Sequence, residues 1–313
     1  MQRSVTVIIP VYNGMPFLPE TVDSLFQQTY EDFRLLIVDD GSTDESFTYL
    51  QSLTDPRVEI RQQRNLGFGK SLNRAIESIN SDFIVHLDQD DVAMPTRLQE
   101  QLEFLSSHQE YDFVLSNVSK ISSMGIEFGA YTINDTELIS DYESVKYGAI
   151  SPSTMCFRRK AFLDLGGYRE SLYPVDDYDL LLRAEENCKV AVINKPLVKY
   201  RVHSKSASFK KFHEMQLKTA YIQALAAMRR SGQPEISLDE FTQKNKGNLL
   251  ERVSEYRSSL GKLTFRKAGC LIGEKNYILG ILNLLYAYLL VPSFVFKRLS
   301  SLRKSDQSSG ALS

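Results

Sequence analysis

Three carboxylates, Asp88, Asp90 and Asp91, follow directly on the apolar stretch 83–87. Negative charges this close repel one another unless a cation or hydrogen-bond donors compensate them. Small groups of hard oxygen ligands suit Mg²⁺ or Mn²⁺, which keep coordination positions for water and substrate phosphates. The cluster therefore predicts a divalent-metal site; the alternative is a solvated acidic turn before the helix that Pro95 opens.

A second acidic pair, Asp39 and Asp40, also ends an apolar stretch, and Gly41 after it suits a turn. A carboxylate in that position can accept a hydrogen bond from a nucleobase imide or a ribose hydroxyl. Residues 42–45, two hydroxyls and two carboxylates, are also typical of a helix N-terminus. We expect both functions here, with helix capping by residues 42–44 and ligand binding by Asp39 or Asp40.

A third cluster, Asp176, Asp177 and Asp179, precedes an apolar helical run. One interpretation is helix capping. The other is a general base, because an ionised Asp beside an acceptor hydroxyl could take its proton as the oxygen attacks, and neighbouring carboxylates would raise its pKa usefully. His203, at the end of the run 198–203, is either a further metal ligand or a surface or packing residue.

The first hundred residues alternate strand and helix patterns at short intervals, which predicts a mainly parallel sheet with helices on both faces. The predicted strands are 5–10, 33–38, 58–62 and 83–87, and the predicted helices are 17–28, 45–53 and 70–79. Ligands of such open sheets bind beyond the carboxyl ends of the strands. The polar clusters 12–14, 39–42 and 88–91 each follow a strand, so we expect them to lie together.

The rest of the chain divides by pattern. Residues 111–201 mix shorter strands with turns and are interpreted as the second half of the same domain, whereas helical periodicity dominates beyond residue 209, with a break at 232–234. The predicted organisation is an α/β domain at 1–208 with halves 1–110 and 111–208, a basic helical region at 209–304 and a disordered tail at 305–313.

Composition limits the classes of partner and compartment. The chain has 37 basic and 39 acidic residues, so its formal charge of −2 does not indicate nucleic-acid binding. Residues 241–304 nevertheless carry a net charge of +9. Three cysteines that lie far apart argue against a disulfide framework or a zinc site and favour a reducing cytoplasm. A strand that begins at Val5 leaves no room for a secretory signal.

The glycines at 67–69 do not predict a phosphate loop. Residues 69–71 resemble the end of a Walker A loop, but Arg64 stands where its first glycine is required. A dinucleotide fingerprint fails as well, because the third glycine is missing. Any nucleotide must therefore be held by other means.

The run 277–296 is twenty residues of low polarity, flanked by Lys275 and by Lys297 and Arg298. As a helix it would be about 30 Å long, which is barely enough to cross a bilayer. Its tyrosines, and Pro292, which should kink the helix, suit an interface better than lipid tails. We predict a helix that lies in the plane of an anionic inner-leaflet surface; the alternative is a packing helix buried on the α/β domain.

Five segments together closely resemble the family 2 glycosyltransferases in order and spacing. They are 7–14 (VIIPVYNG), 37–44 (IVDDGSTD), 65–67 (NLG), 87–91 (LDQDD) and 176–180 (DDYDL). The last resembles that family's acidic base motif, with Asp176-Asp177 in place of the usual Glu-Asp. The resemblance covers roughly residues 5–203, about two thirds of the chain.

The resemblance implies a GT-A fold, a nucleotide-sugar donor, Mg²⁺ or Mn²⁺ as cofactor, and inversion at the anomeric carbon. On the donor side it implies that Asp40, with Pro10 and Tyr12 nearby, contacts the nucleobase. It implies that Asp88 contacts the ribose. Further candidate contacts to the nucleotide sugar are Asn13, Asp39, Asn65, Lys70 and Gln89.

The resemblance also implies roles in the reaction. Asp90 would bind the metal that bridges the diphosphate, Asp88 is a second candidate ligand, and His203 is similar to the further metal ligand of some members. Asp177 would be the general base. The supporting carboxylates of the base motif are Asp176 and Asp179. A metal neutralises charge on the departing phosphate, and a single base suffices for inversion in one displacement.

The resulting prediction is a metal-dependent, inverting hexosyl- or N-acetylhexosaminyl-transferase. Its acceptor would be a hydroxyl of a glycan or lipid-linked saccharide in cell-surface polysaccharide biosynthesis, and it would work in the cytoplasm, peripheral to the inner face of the membrane. The alternative is a catalytically silent sugar-nucleotide binding partner of another transferase. Residues 151–159 are expected to line the acceptor side.

Overall fold

Four strands form a parallel sheet, and three of them are apolar and buried, because runs of Val, Ile and Leu suit burial on both faces. The strands of this sheet region are β1 (Val5–Val11), β2 (Arg34–Asp39), β3 (Val58–Gln62) and β4 (Phe83–His86). β1 lies between β2 and β4, and β3 pairs with the outer side of β2, all in parallel. This computed structural model describes residues 4–131, 139–141, 151–247 and 249–299; the predicted tail at 305–313 lies outside the described residues.

Helices cover both faces of the sheet, as predicted. They are α1 (Leu18–Phe26), α2 (Ser46–Gln51), α3 (Phe68–Ser78), α4 (Arg97–Ser107), α5 (Arg159–Asp164) and α6 (Asp176–Asn187). The apolar stripes of α1, α2 and α4 pack on one face of the strands. Those of α3, α5 and α6 pack on the other. The two buried layers hold the strand ends in place.

The sheet continues beyond β4 mainly with antiparallel strands. These are β5 (Val92–Ala93), β6 (Tyr111–Ser122), β7 (Glu127–Tyr131), β8 (Ile139–Asp141), β9 (Cys156–Arg158) and β10 (Lys189–Val202). Across the described residues the strand order is β3-β2-β1-β4-β9-β6-β10-β5, with β7 beside β6 and β8 beside β10. The part of the chain predicted as the second half of the domain therefore extends the same sheet.

The carboxyl ends of β1, β2 and β4 lie side by side. The β1–β2 register pairs Val11 with Asp39, and the β1–β4 register pairs Ile8 with His86. Because the three strands run in parallel, the loops that follow them leave the sheet at neighbouring points of one edge. The three polar clusters that the sequence placed after strands meet at this edge.

A second compact unit is mainly helical. The first unit comprises the chain through Ile121 and Glu127–Arg201, and the second comprises Ser122–Ile126 and the chain from Val202 onward. The helices of the second unit are α7 (Ala207–Lys210), α8 (Phe212–Arg230), α9 (Leu238–Lys244), α10 (Leu249–Gly273) and α11 (Tyr277–Leu290). The predicted break at 232–234 falls between α8 and α9. The unit boundary follows Arg201, whereas the sequence placed the domain boundary after residue 208.

The apolar run 277–296 is not one continuous helix. α11 ends at Leu290 and a separate helical segment covers 292–299, because Pro292 has no backbone N–H with which to continue α11. α11 packs closely on α10 through Gly280, where a Cβ atom would lie 2.6 Å from Ile272 Cγ1. Within the described part of the chain, no helix combines the length and apolar character needed to cross a bilayer.

Candidate active site

Gln89 joins the loop after β4 to the loop after β1. Its side-chain Oε1 accepts a hydrogen bond from Tyr12 N at 2.8 Å, and its Nε2 donates to Tyr12 O at 3.1 Å. This bidentate contact to the backbone fixes the position of Tyr12, whose side chain is 47% exposed. Pro10, two residues earlier, is the partly buried penultimate residue of β1. The structure thus gives Gln89 a positioning role and presents the Tyr12 ring at the edge of the sheet.

The loop after β1 is also joined to the loop after β2. Asn13 adopts a left-handed backbone with φ 54°, and its Oδ1 accepts hydrogen bonds from Thr43 N at 2.8 Å and Asp44 N at 3.3 Å. In return, Ser42 Oγ accepts one from Asn13 N at 3.0 Å, and Asp44 Oδ2 accepts one from Met15 N at 3.2 Å. These contacts hold the two loops as one unit.

The expectation that residues 42–44 cap a helix is confirmed for Asp44 only, whose Oδ1 accepts a hydrogen bond from Ser46 N at 3.0 Å. α2 begins at Ser46 with Glu45 at the N-cap position, and within the described residues that N-cap makes no side-chain capping bond. The side chain of Ser42, and the other carboxylate oxygen of Asp44, bind the loop after β1. α6 has Val175 at its N-cap position, which makes no side-chain capping bond, but the carboxylate of Asp176, its first residue, accepts hydrogen bonds from backbone N–H groups of the first turn.

Asp39 and Asp40 are both buried, but their surroundings differ. The Asp40 carboxylate accepts hydrogen bonds from Gln63 Nε2 at 2.8 Å and from Leu66 N and Gly67 N, both at 2.9 Å. It therefore ties the segment before α3 to the end of β2. Asp39 Oδ1 accepts only a long bond from Ser42 N at 3.3 Å, and its Oδ2 has no hydrogen-bond partner among the described residues.

Asn65 and Lys70 flank the start of α3. Asn65 is exposed, and its backbone N lies against Gly41, where a Cβ atom would come within 2.9 Å of it. Lys70 is exposed, with its Nζ 3.8 Å from Glu170 Oε2. Both side chains therefore lie where a ligand can reach them, and their contacts with nucleotide sugar stay predictions.

Asp88 lies near enough to Asp177 to raise its pKa, and two residues that the sequence did not single out lie beside them; we call these four side chains the acidic cleft. His86 Nε2 lies 3.1 Å from Asp88 Oδ1, and Tyr168 Oη lies 3.4 Å from His86 Nδ1. The pKa of Asp177 is raised from 3.8 to about 6, chiefly by burial and also by the charge of Asp88, while a backbone hydrogen bond and His86 oppose the rise. A group with a pKa near 6 is a suitable general base at neutral pH.

Tyr168 is a buried residue near the carboxylates of the cleft. Burial raises the pKa of its phenol, and the charges of Asp176, Asp177 and Asp88 add to that rise. The carboxylates of both acidic segments, the one after β4 and the one at the start of α6, thus act on the same hydroxyl. The two segments, which lie far apart in the sequence, are brought together on the side of the sheet that α3 covers.

The three carboxylates at the start of α6 have different environments. Asp179 is fully buried and its Oδ2 accepts a hydrogen bond from Arg183 Nε at 2.8 Å. Asp176 is buried against α3, where a Cβ atom on Gly69 would lie 2.7 Å from its Oδ2. Asp177 alone of the three is partly exposed. Asp177 is therefore the carboxylate that can meet a ligand, while Asp176 and Asp179 hold the start of the helix.

Asp91 does not belong to an open metal cluster, contrary to the first expectation. It is fully buried, and its Oδ1 accepts a hydrogen bond from Arg201 N at 2.8 Å. The guanidinium of Arg201 donates to Asp90 O at 2.8 Å and to Glu20 at 2.6 Å. Burial raises the pKa of Asp91, and the charges of Asp90 and Asp88 raise it further. Asp91 therefore anchors the loop, leaving Asp88 and Asp90 partly exposed.

The donor set fits a hard divalent ion held jointly with a diphosphate. No three His, Cys, Asp or Glu side chains of the described residues are close enough together to form a metal shell by themselves. Proteins usually bind Mg²⁺ through one or two carboxylates plus substrate phosphates, and Asp90 and Asp88 can supply these carboxylates. His203 is buried in the second unit. The roles of Asp90, Asp88 and His203 as metal ligands stay predictions.

Residues 153–157 are fully buried, so the expectation that 151–159 line the acceptor side is wrong for that part. Ser153 Oγ accepts a hydrogen bond from Asp88 N at 2.9 Å and so supports the acidic loop from inside the fold. His86, Tyr168 and Arg201 were also missed. For His86 the available signal was an imidazole inside an otherwise apolar strand.

Known proteins with similar sequences are glycosyltransferases. The model of the family described as "Glycosyl transferase family 2" matches residues 6–166. An uncharacterized glycosyltransferase of Methanocaldococcus jannaschii is 29% identical over 226 residues, which are 69% of this chain and 77% of that protein. One of Rickettsia felis is 27% identical over 66% of this chain, but the match spans only 35% of that longer protein.

Solved structures show the same fold. Residues 1–349 of TarS from S. aureus, in complex with UDP-GlcNAc, superpose with a TM-score of 0.58 at 20% identity, covering 93% of this chain and 91% of that one. The complex of the same fragment with UDP gives a TM-score of 0.56 at 18% identity. This likeness confirms the predicted GT-A fold, with a mainly parallel sheet, flanking helices and helices toward the C-terminus.

Proposed function

Because the chain belongs to the family 2 glycosyltransferases, we propose that it transfers a sugar from a nucleoside-diphosphate sugar to an acceptor hydroxyl, with inversion at the anomeric carbon. The observation that carries this proposal is the acidic cleft, in which Asp88 and Asp177 interact although 88 residues of sequence separate them. A site that binds and reacts with a donor needs carboxylates near both the nucleotide and the acceptor oxygen.

Asp177 acts as the general base in this proposal. Its pKa of about 6 leaves it mostly ionised at pH 7, so it can take the proton of the acceptor hydroxyl as that oxygen attacks the anomeric carbon. The bond from the sugar to the diphosphate breaks in the same displacement, and no enzyme nucleophile takes part. A single base on the side opposite the leaving group gives inversion.

The edge of the sheet holds the donor. The exposed ring of Tyr12, whose backbone is held by Gln89, offers a flat surface for the base, and Asp88 accepts hydrogen bonds from the ribose. Asp90, with Asp88 as a second ligand, would hold Mg²⁺ or Mn²⁺, whose charge offsets the negative charge that develops on the departing diphosphate. UDP-linked hexoses and N-acetylhexosamines are the first donors to test, since the TarS fragment of the same fold was solved with UDP-GlcNAc.

A panel of nucleotide sugars tests the proposal. Thermal unfolding is measured with each donor in the presence of Mn²⁺, because a cognate ligand raises the melting temperature by mass action. The best donor is then assayed for donor turnover with wild type, with Asp177→Asn and with Asp164→Asn, which alters an exposed surface carboxylate. We expect loss of turnover only in Asp177→Asn. Binding without turnover in wild type would favour the catalytically silent binding partner.

We also propose that α11 lies on the inner surface of the membrane, where the acceptor would be a saccharide or lipid-linked saccharide of the cell surface. Nine large apolar side chains of α11 are exposed. They are Tyr277, Ile278, Leu279, Ile281, Leu282, Leu285, Tyr286, Tyr288 and Leu289. The exposed cations Lys275, Lys297 and Arg298 flank this apolar surface, which matches an anionic headgroup layer.

Vesicle flotation tests the membrane proposal. Vesicles of phosphatidylethanolamine with one quarter phosphatidylglycerol are compared with purely zwitterionic ones at low and high salt. Wild type should float with the anionic vesicles, and less so at high salt. Ile278→Glu combined with Leu289→Glu should abolish flotation, whereas Leu217→Glu on α8 should not. Equal flotation of all three proteins, or none by wild type, would contradict the proposal.

A further inference from the structure

His86 is a buried ionisable residue at the carboxyl end of the otherwise apolar strand β4. The other residues of β4, Phe83, Ile84 and Val85, are buried and apolar, and His86 itself is 2% exposed. Its ring lies 5.6 Å from the ring of Phe68 at the start of α3. Burying an imidazole in such surroundings is unfavourable unless both ring nitrogens find partners. The groups near the two ring nitrogens therefore indicate the role of His86.

The two ring nitrogens face different groups. Nε2 lies 3.1 Å from Asp88 Oδ1, although within the described residues it makes no hydrogen bond of regular geometry. Nδ1 lies 3.4 Å from Tyr168 Oη. A neutral imidazole has one donor and one acceptor, and an ionised carboxylate only accepts. A carboxylate oxygen 3.1 Å from Nε2 therefore favours N–H at Nε2, which leaves Nδ1 to accept a hydrogen bond from the Tyr168 hydroxyl.

We propose that His86 is a positioning residue for donor binding: its Nε2–H directs one oxygen of Asp88, so that the other oxygen faces the nucleotide sugar, and Tyr168 fixes the tautomer. This inference rests on the proposed function. Asp88 and Asp177 repel each other across the cleft, so an Asp88 side chain without a donor would turn away from Asp177. The backbone bond from Asp88 N to Ser153 Oγ fixes the main chain but leaves the carboxylate to His86.

Two amide substitutions of His86 distinguish a role in positioning Asp88 from a role in packing alone. The side-chain nitrogen of His86→Gln can occupy the place of Nε2 and donate to Asp88, whereas that of the shorter His86→Asn reaches only the place of Nδ1. His86→Phe preserves the ring shape and suits the apolar strand. If His86 only fills space, His86→Phe should behave like wild type and both amides should be impaired. Thermal unfolding of each variant checks the fold.

Donor kinetics and nucleotide binding provide the first readout. The Kd is measured for UDP, GDP, CDP, ADP and dTDP, and KM and kcat for the donor that the panel identifies. We expect His86→Gln to retain affinity within about threefold, and His86→Asn and His86→Phe to raise Kd and KM by about tenfold with a smaller change in kcat. Equal values for His86→Gln and His86→Asn, or wild-type values for His86→Phe, would overturn the inference.

The tautomer of His86 provides a readout that needs no donor. Long-range ¹H–¹⁵N spectra of the imidazoles distinguish Nε2–H from Nδ1–H, and the signals of His86 are identified by their loss in His86→Gln. We expect Nε2–H in wild type and a changed Nδ1 shift in Tyr168→Phe. An Nδ1–H ring would overturn the inference. Absence of sugar transfer in wild type would refute the proposed function, while the tautomer and nucleotide affinities would still decide the role of His86.

Discussion

The loops after β1 and β2 and the acidic cleft contain similar residues but differ in how those residues are used. In the loops, the polar side chains bind other parts of the protein. Asp40 accepts two hydrogen bonds from backbone N–H groups and one from the Gln63 side chain. Asn13 holds the loop after β2, and Gln89, from the loop after β4, holds the loop after β1. In the cleft, Asp88 and Asp177 stay partly exposed, and the charge of Asp88 raises the pKa of Asp177. Asp40, which has three donors, helps to build the site, whereas Asp88 and Asp177 are left for a ligand.

The difference has an energetic consequence. A buried carboxylate with three donors stabilises the fold, because removing it leaves those donors unpaired. A carboxylate whose pKa is raised by burial does the opposite, since its ionised form is less stable in the folded than in the unfolded chain. Substitution of a buried carboxylate with three donors, such as Asp40, should therefore lower stability, and substitution of a carboxylate in the cleft should lower activity.

The largest effect is expected for Asp177→Asn. Loss of a general base lowers turnover by about 10³-fold.

Asp177→Asn should also change stability. The pKa of Asp177 is raised, so its ionisation opposes folding above about pH 6, and this opposition is absent below the ordinary pKa of 3.8. The variant should thus melt at a higher temperature than wild type at pH 7.5, with no gain at pH 3.5. Calorimetry and a donor-turnover assay test both parts; a lower melting temperature at pH 7.5 would contradict the comparison.

Asp40→Ala should act on stability. It leaves the N–H groups of Leu66 and Gly67 and the amide of Gln63 without their acceptor. We expect a loss of roughly 3 kcal/mol, or a melting temperature lower by roughly 6–12 °C. Asp23→Ala, at an exposed position of α1, is the matched control and should change little. A normal melting temperature with weakened nucleotide binding would show that Asp40 serves the ligand and not the loops.

The pH profile of kcat should follow Asp177. With a pKa of about 6, kcat should fall about tenfold for each pH unit below that value, because only the ionised carboxylate accepts the proton. The profile of the residual activity in Asp177→Asn should lack this acid limb. An acid limb that persists unchanged in the variant would assign the base to another group.

Gln89→Leu should have the smallest effect. It removes both hydrogen bonds to the Tyr12 backbone while keeping the volume of the side chain. We expect about fivefold weaker nucleoside-diphosphate binding with little change in melting temperature. Gln27→Leu, an exposed substitution at the end of α1, should leave affinity unchanged. Isothermal titration of both variants makes the comparison, and equal affinity in the two would remove the positioning role of Gln89.

Much of the fold followed from simple patterns. Alternating strand and helix signals predicted the parallel sheet, and the rule that ligands bind beyond strand ends placed residues 12–14, 39–42 and 88–91 on one edge. The break at 232–234 and the interruption at Pro292 also followed from backbone chemistry. These features depend on local periodicity or on a single residue type, which the sequence displays directly.

The sequence could not show which carboxylates are buried by internal partners and which stay open to a ligand, because this depends on contacts between distant segments. Asp91 looks like Asp90 in the sequence but is buried by Arg201, which follows 110 residues later. Asp40 is engaged by a loop that comes after β3, and Asp179 by an arginine one helical turn away. His86 was passed over because the strand around it is apolar.

The configuration of the product tests the central claim most directly. In a single-turnover reaction followed by NMR, the coupling of the anomeric proton reports whether the transferred sugar keeps or inverts its configuration. A single displacement with Asp177 as the base predicts a product of opposite configuration to the donor. Retention of configuration would contradict the account.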